Sequence, residues 1–149
     1  MTADATPPVE SCNCYAVRAA ARHVSQFYDQ VLAPTGVRTT QYSILAKLKR
    51  RGPLTINALA ADMVMDRTTL GRNILPLQRD GLVKVEADAT DRRAKALRLT
   101  KAGEKRLQAA HERWVVAQAR FEAVFGTKRA ADLRALLRAV TAGEFAPAV

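Results

Sequence analysis

The side chains in this sequence with the reach and charge to act on another molecule are mostly basic, and they cluster. Asp91, Arg92 and Arg93 fall between two runs whose side chains alternate in polarity. Upstream, Arg67, Thr68, Thr69, Arg72 and Arg79 sit around an apolar stripe of helical spacing. A guanidinium can donate two parallel hydrogen bonds to O6 and N7 of guanine, and a threonine can meet a phosphate, a base edge or a thymine methyl. An arginine also suits a narrow minor groove, where the potential is most negative. Asp91 cannot itself welcome a phosphate; its fitting task is to hold an arginine or the loop through a charged hydrogen bond. The pattern therefore points to recognition of double-stranded DNA. The plainer alternatives are a solvated helix face and a solvated charged turn.

Those residues need elements to position them. Asp66 is a plausible cap for a helix reaching about Asp80, with Leu70, Ile74 and Leu77 as its buried stripe and Gly81 as its stop. With Leu70 at the centre of the buried face and about 100° per residue, Thr68, Arg72 and Arg79 point outward. Thr69 and Gly71 lie on the flanks, and Gly71 lets a partner approach the backbone closely. Pro76 sits inside this helix and removes one backbone hydrogen bond. Before it, Thr55 can cap a short helix with Ile56, Leu59 and Met63 inward, and Val64-Met65 makes the turn.

After Gly81 the period changes from helical to two. Val83 and Val85 alternate with Lys84 and Glu86; Lys95, Leu97 and Leu99 alternate with Ala96 and Arg98. This predicts a hairpin of two short strands with a long tip, Ala87 to Arg92. Helix, turn, helix and hairpin in this order make a winged helix-turn-helix, whose second helix enters the major groove while the wing reaches the minor groove or backbone.

Flanking segments are helical too. A first helix spans about Asn13 to Leu32, with Ala16, Ala20, Val24, Phe27 and Val31 on one face, and Pro34 and Gly36 stop it. A second runs from about Thr40 to Arg50 and ends at Gly52-Pro53; Lys47, Lys49, Arg50 and Arg51 load its last turn with positive charge, which suits the helix dipole or a phosphate. Thr100 can cap a long fifth helix to Phe125, along which Leu107, His111, Trp114, Gln118, Phe121 and Phe125 recur at steps of four and three. Gly126 breaks it, and Thr127 can cap a sixth helix bearing Leu133, Leu136, Leu137 and Val140. The fold class is mainly α with a small β-hairpin wing. Residues 1–11 read as a flexible tail, 37–100 as the winged DNA-binding lobe, and 12–36 with 101–149 as dimerisation helices. The fifth helix carries more apolar surface than so small a lobe can cover, which predicts a homodimer rather than an ordinary single-chain core.

The totals agree with this. The chain has 149 residues and a formal net charge of +10, which favours a polyanionic partner and a strong salt dependence of binding. No apolar run is long enough to span a membrane. Met1 to Ser11 lacks the basic start and apolar centre of a signal peptide, so a cytoplasmic, nucleoid-associated protein is expected. Nothing resembles a nucleophile with its base, a carboxylate pair beside a histidine, a phosphate-cradling glycine loop or a metal set. The sequence therefore predicts no enzyme, no cofactor and no metal site.

At this point a resemblance enters. Asp91-Arg92-Arg93 followed by Leu97-Arg98-Leu99-Thr100-Lys101-Ala102-Gly103 resembles the wing signature of the MarR family of bacterial transcription regulators. Leu77-Gln78-Arg79-Asp80-Gly81-Leu82-Val83 is similar to the exit of that family's recognition helix, and Tyr28-Asp29, Leu32-Ala33-Pro34-Thr35-Gly36 and Gln41-Tyr42 extend the likeness over nearly the whole chain. Pro76 departs from the leucine or polar residue commoner in the family. The resemblance implies a homodimer on a near-palindromic operator, more often a repressor than an activator. It implies that Arg93 is the minor-groove arginine and Asp91 its organiser. It also implies release from DNA by a small aromatic molecule or by oxidation.

Two sensing sites are candidates. Cys12 and Cys14 stand where the first helix begins, and a helix N-terminus favours thiolate over thiol. On a helix, positions two apart face opposite ways, so a bridge between them is unfavourable. Redox sensing competes here with two small residues at a subunit contact. For an aromatic effector, Tyr15, His23, Tyr28, Tyr42 and Trp114 are candidate lining residues at the junction of the two lobes, though each also suits ordinary packing. A sequence-tolerant architectural DNA-binding protein without an effector is the alternative to a regulator.

Overall fold

In the computed structural model, residues 6–145 are described. Six helices and three short strands follow in the order α1 Asn13–Leu32, α2 Thr39–Arg51, β1 Leu54–Thr55, α3 Ile56–Asp62, α4 Arg67–Arg79, β2 Val83–Ala87, β3 Lys95–Leu99, α5 Lys101–Phe125 and α6 Thr127–Ala142. Local chemistry sets most of the boundaries. Thr55 Oγ1 accepts from the Ala58 N–H at 3.1 Å, Asp66 Oδ1 from Thr69 N–H at 2.8 Å and Thr100 Oγ1 from Gly103 N–H at 3.0 Å, so each caps the helix after it. Asp29 on α1 accepts from Thr39 N–H at 2.7 Å and so supplies a carboxylate to the start of α2.

The core lies in the winged lobe. Leu32, Ile44, Leu45, Leu59, Leu70, Leu77, Val83 and Leu97 are fully buried there. Leu70, Ile74 and Leu77 are the inner face of α4, so the helix keeps the rotation that its sequence predicts. It also continues through Pro76 to Arg79. Val83 and Leu97 bring the sheet onto this core, and the Thr100 hydroxyl donates to the Gly81 carbonyl at 2.6 Å, tying the exit of α4 to the start of α5.

Several expectations need correction. The sheet has three strands in the order β1-β3-β2, not two, because Leu54 and Thr55 pair antiparallel with Leu97 and Ala96. A strand of two residues shows no alternation to read. Ala96 is consequently buried beside β1, although its position in the hairpin pattern suggested the polar face. Thr127 does not cap α6: Gly126 occupies the cap at φ 102° without a side-chain bond, and Thr127 is already helical. Within the expected tail, Val9–Ser11 forms a 3-10 turn closed by Cys12 N–H on the Val9 carbonyl. Residues 1–5 of that tail and 146–149 of the C-terminal segment lie outside the described residues.

The fifth helix also packs differently from its large-residue pattern. Its fully buried positions are Gly103, Ala110 and Ala117, while Leu107, Trp114, Gln118, Phe121 and Phe125 flank them half-buried and His111 is exposed. Small residues let the neighbouring helices approach closely, and large ones fill the sides. Much of the remaining apolar surface is uncovered. Ala16 and Ala20 on α1 are exposed, α6 buries Ala130 alone, and Val124 and Leu136 are 90% and 67% exposed.

Two backbone positions give predictions. α3 ends with Val64 N–H on the Ala61 carbonyl and Met65 N–H on the Ala60 carbonyl, a closure that places Val64 at φ 52°. A β-branched residue is strained in that region, and its side chain is exposed. Val64→Gly should therefore raise thermal stability, by about 1 kcal/mol on unfolding. Gly103 is the opposite case. A methyl group there would collide with the Leu82 carbonyl and Leu99. Gly103→Ala should destabilise by roughly 1–3 kcal/mol in chemical denaturation.

Candidate nucleic-acid interface

The outer side of α4 is the complement of its buried stripe. Thr68, Arg72, Leu75 and Arg79 recur at steps of four and three and all are exposed. Arg67 joins them at the first helical position. A cation there opposes the positive end of the helix dipole, so Arg67 contributes nothing to its own helix and remains available to an anion. Arg79 leans on Asp80, with Nε 3.3 Å from Oδ1. Among the described residues, Arg67 and Arg72 form no ion pair.

The two threonines differ. Thr68 is exposed, whereas the Thr69 hydroxyl donates to Asp66 Oδ2 at 2.7 Å. Its proton is thereby committed to the cap, and only its lone pairs and methyl face outward. The Thr69 N–H and then its hydroxyl hold the Asp66 carboxyl below the usual carboxylate range. Asn73 also turns inward, its amide donating to the Thr69 carbonyl at 2.9 Å.

The wing tip is laced by two aspartates. Asp88 Oδ2 accepts from the Thr90 hydroxyl at 2.7 Å, Asp91 N–H at 3.0 Å and Thr90 N–H at 3.2 Å. Asp91 Oδ1 accepts from Arg93 N–H at 3.0 Å, and the Asp91 carbonyl accepts from Ala94 N–H. Asp91 thus acts on the backbone, not on a guanidinium. The donors gathered by Asp88, the Thr90 hydroxyl foremost, keep its carboxyl below the usual range. The hydrogen bonds to Asp88 are therefore fully present above the ordinary carboxylate pKa and are lost as pH falls through its lowered one. Arg92 and Arg93 remain exposed, and no ion pair engages either among the described residues. Asp88 was missed in the sequence, although Asp-Ala-Thr in a loop is a known turn former through its side-chain acceptor.

The basic end of α2 is largely neutralised. Lys47 and Arg51 both reach Asp62, at 3.1 and 3.0 Å, and Lys49 reaches Glu104 at 2.7 Å. These bridges hold α2 to α3 and α5. Arg50 is exposed and has no such partner among the described residues.

The five candidate pocket residues do not converge. Tyr42 and Trp114 do meet: their rings stack at 5.9 Å, His111 stacks on Trp114 at 5.5 Å, and the Tyr42 hydroxyl lies 2.9 Å from His111 Nδ1. Burial raises the Tyr42 pKa. Beside this stack a groove of about 690 Å³ opens between α2 and α5, rimmed by Lys49, Arg50, Lys101, Glu104 and Lys105. Tyr28 instead donates to Gln118 Oε1 at 2.6 Å; burial, then the charge of Glu122, raises its pKa against the opposing pull of Arg134. His23 lines a separate cleft of about 710 Å³ with Phe27, Arg120, Phe121 and Phe125. Tyr15 is exposed and lines neither.

Cys12 and Cys14 are free and exposed. Cys12 is not helical: it is the extended cap of α1, and its Sγ accepts from Tyr15 N–H at 3.5 Å. The rule that helical positions two apart diverge therefore does not apply to this pair, and helix geometry directs Cys14 alone. His23 and His111 stand apart from any group of three or more metal-ligating side chains among the described residues. No helix among them is long and apolar enough to cross a membrane.

A sequence model of the MarR family matches residues 38–95, the segment from the start of α2 to the far side of the wing. The M. tuberculosis transcriptional regulator MosR is 37% identical, with a TM-score of 0.77, over 91% of this chain and 100% of that one. A structure of MosR in complex with DNA aligns at 40% identity and a TM-score of 0.76, over 89% of this chain and 98% of that one. The PcaV transcriptional regulator of Streptomyces coelicolor, solved with its natural ligand, shares the fold at 21% identity and a TM-score of 0.81, over 94% and 99% of the two chains. No curated protein matches. Together with the outward basic stripe and the arginine-tipped wing, these likenesses establish that the chain belongs to the MarR family of DNA-binding transcription regulators, which are not enzymes.

Proposed function

We propose that this regulator is a homodimeric, nucleoid-associated cytoplasmic repressor on a near-palindromic operator, released when a small aromatic acid binds. The observation that carries the dimer is the uncovered apolar surface of α1, α5 and α6, where Val17, Val115, Val124, Leu136 and Val140 are each exposed. A second copy is the partner that a two-fold DNA reader requires. In each copy α4 enters the major groove, with Arg72 toward a guanine, and the wing arginines, Arg93 foremost, reach the adjacent minor groove.

The aromatic acid fits the groove between α2 and α5. Tyr42 and His111 offer aromatic walls, and Arg50, Lys101 and Lys105 offer positive charge for a carboxylate beside the Lys49–Glu104 pair. α2 belongs to the reading lobe and α5 runs out of it, so a ligand wedged between them acts on the angle of the lobe. Release follows when the ligand binds better to the head spacing that DNA does not accept. A second reading, release by thiol oxidation, is favoured by the exposure of both Cys12 and Cys14.

Fluorescence anisotropy on an operator selected from random duplexes checks the DNA roles. Arg72→Ala should weaken binding by about 1–3 kcal/mol and relax base preference at one position per half-site. Arg93→Ala should weaken binding to all duplexes with little change in preference. Parental affinity in both variants would contradict this assignment. For release, a panel of aromatic carboxylates should include one that lowers operator affinity in the parent and not in a Lys101→Ala, Lys105→Ala double variant. Release by peroxide that vanishes in the double Cys→Ser variant, with no response to any aromatic acid, would favour the thiol reading instead.

A further inference from the structure

Leu75 breaks the chemistry of the outer stripe of α4. It lies three residues after Arg72 and four before Arg79, on the side opposite Leu70, Ile74 and Leu77, and it is 65% exposed. It covers no part of the core. One turn earlier stands Gly71, where an added methyl would meet nothing within 4 Å. The missing side chain at Gly71 therefore leaves a notch one turn before Leu75, and Leu75 itself lies between Arg72 and Arg79 along the stripe.

In a major groove the base edges present acceptors, amino donors and one apolar group, the C5-methyl of thymine. An amino group or carbonyl pressed against leucine would lose its water and gain no hydrogen bond. A methyl loses nothing and removes apolar surface from water.

We propose that Leu75 is a specificity-determining residue that reads a thymine through its C5-methyl, seated in the notch beside Gly71. The proposal rests on the reading of α4 as the helix that enters the groove. It makes base choice in each half-site a joint product of a charged contact at Arg72 and an apolar one at the next turn. Burial of one methyl corresponds to about fourfold in affinity per half-site.

The test replaces each thymine of the selected operator, one at a time, by deoxyuridine. The base pair is unchanged and the methyl alone is lost. Affinities are measured by anisotropy for the parent, Leu75→Ala and Arg72→Ala. The parent should lose about fourfold at one thymine per half-site. Leu75→Ala should bind thymine and uridine duplexes alike, with an unchanged melting temperature. Arg72→Ala should keep the preference at that thymine while losing affinity. Gly71→Ala, which fills the notch, should raise the melting temperature and diminish the preference. A parent blind to every thymine methyl, or a Leu75→Ala variant that retains the preference, overturns the role of Leu75 alone. A parent that selects no duplex overturns the groove-entering helix itself and this proposal with it.

Discussion

The contact on which the rest of the molecule depends is the seating of Leu70, Ile74 and Leu77 of α4 against the leucine-rich core of the winged lobe. Each such side chain stabilises its buried position by roughly 1.5–3 kcal/mol. Turning α4 by a single residue would bring the polar flank inward and expose the leucines. The rotation of the helix is therefore fixed, and with it the direction of Thr68, Arg72, Leu75 and Arg79. The outer stripe is thus a consequence of the inner one. The wing inherits its place in the same way, because Val83 and Leu97 join the sheet to that core while Asp88 and Asp91 hold the tip on its own backbone.

What could be read from the sequence follows from how long each pattern is. Helix α4 repeats its apolar spacing over several turns and carries a cap and a glycine stop, so its faces were legible residue by residue. Strand β1 is too short to repeat anything, and its pairing with β3 depends on residues far away in the chain. The interior of α5 was not legible for a different reason. Its tightest contacts are made by Gly103, Ala110 and Ala117, whose small size is a steric fit to neighbours, not a hydrophobic signal. Leu75 falls outside the buried stripe of Leu70, Ile74 and Leu77, and was overlooked because only charged and polar side chains were sought on the outer face. The dispersal of Tyr15, His23, Tyr28 and the Tyr42–Trp114 pair had no signature at all, since aromatic composition does not say which helices a ring will lie between.

The charges show a similar division of labour. Many basic side chains of this chain, with its formal net charge of +10, work within the fold: Lys47 and Arg51 clamp α2 to Asp62, and Lys49 joins α5 at Glu104. Exposed pairs of this kind contribute little individually. Lys47 and Arg51 tie α2 to α3 within the reading lobe, and Lys49 alone of the three ties α2 to the long helix. Arg67, Arg72, Arg92 and Arg93 are among the arginines left out of such pairs, and all four are exposed on α4 or the wing tip.

The most direct measurement is backbone-amide NMR of the protein titrated with its selected operator duplex. Two-fold gripping by α4 and the wing predicts the largest shifts at Arg67 to Leu75 and at Asp91 to Ala94, with one set of signals for the two copies. Shifts that spare both segments and gather on α6 or the outer face of α5 would contradict it.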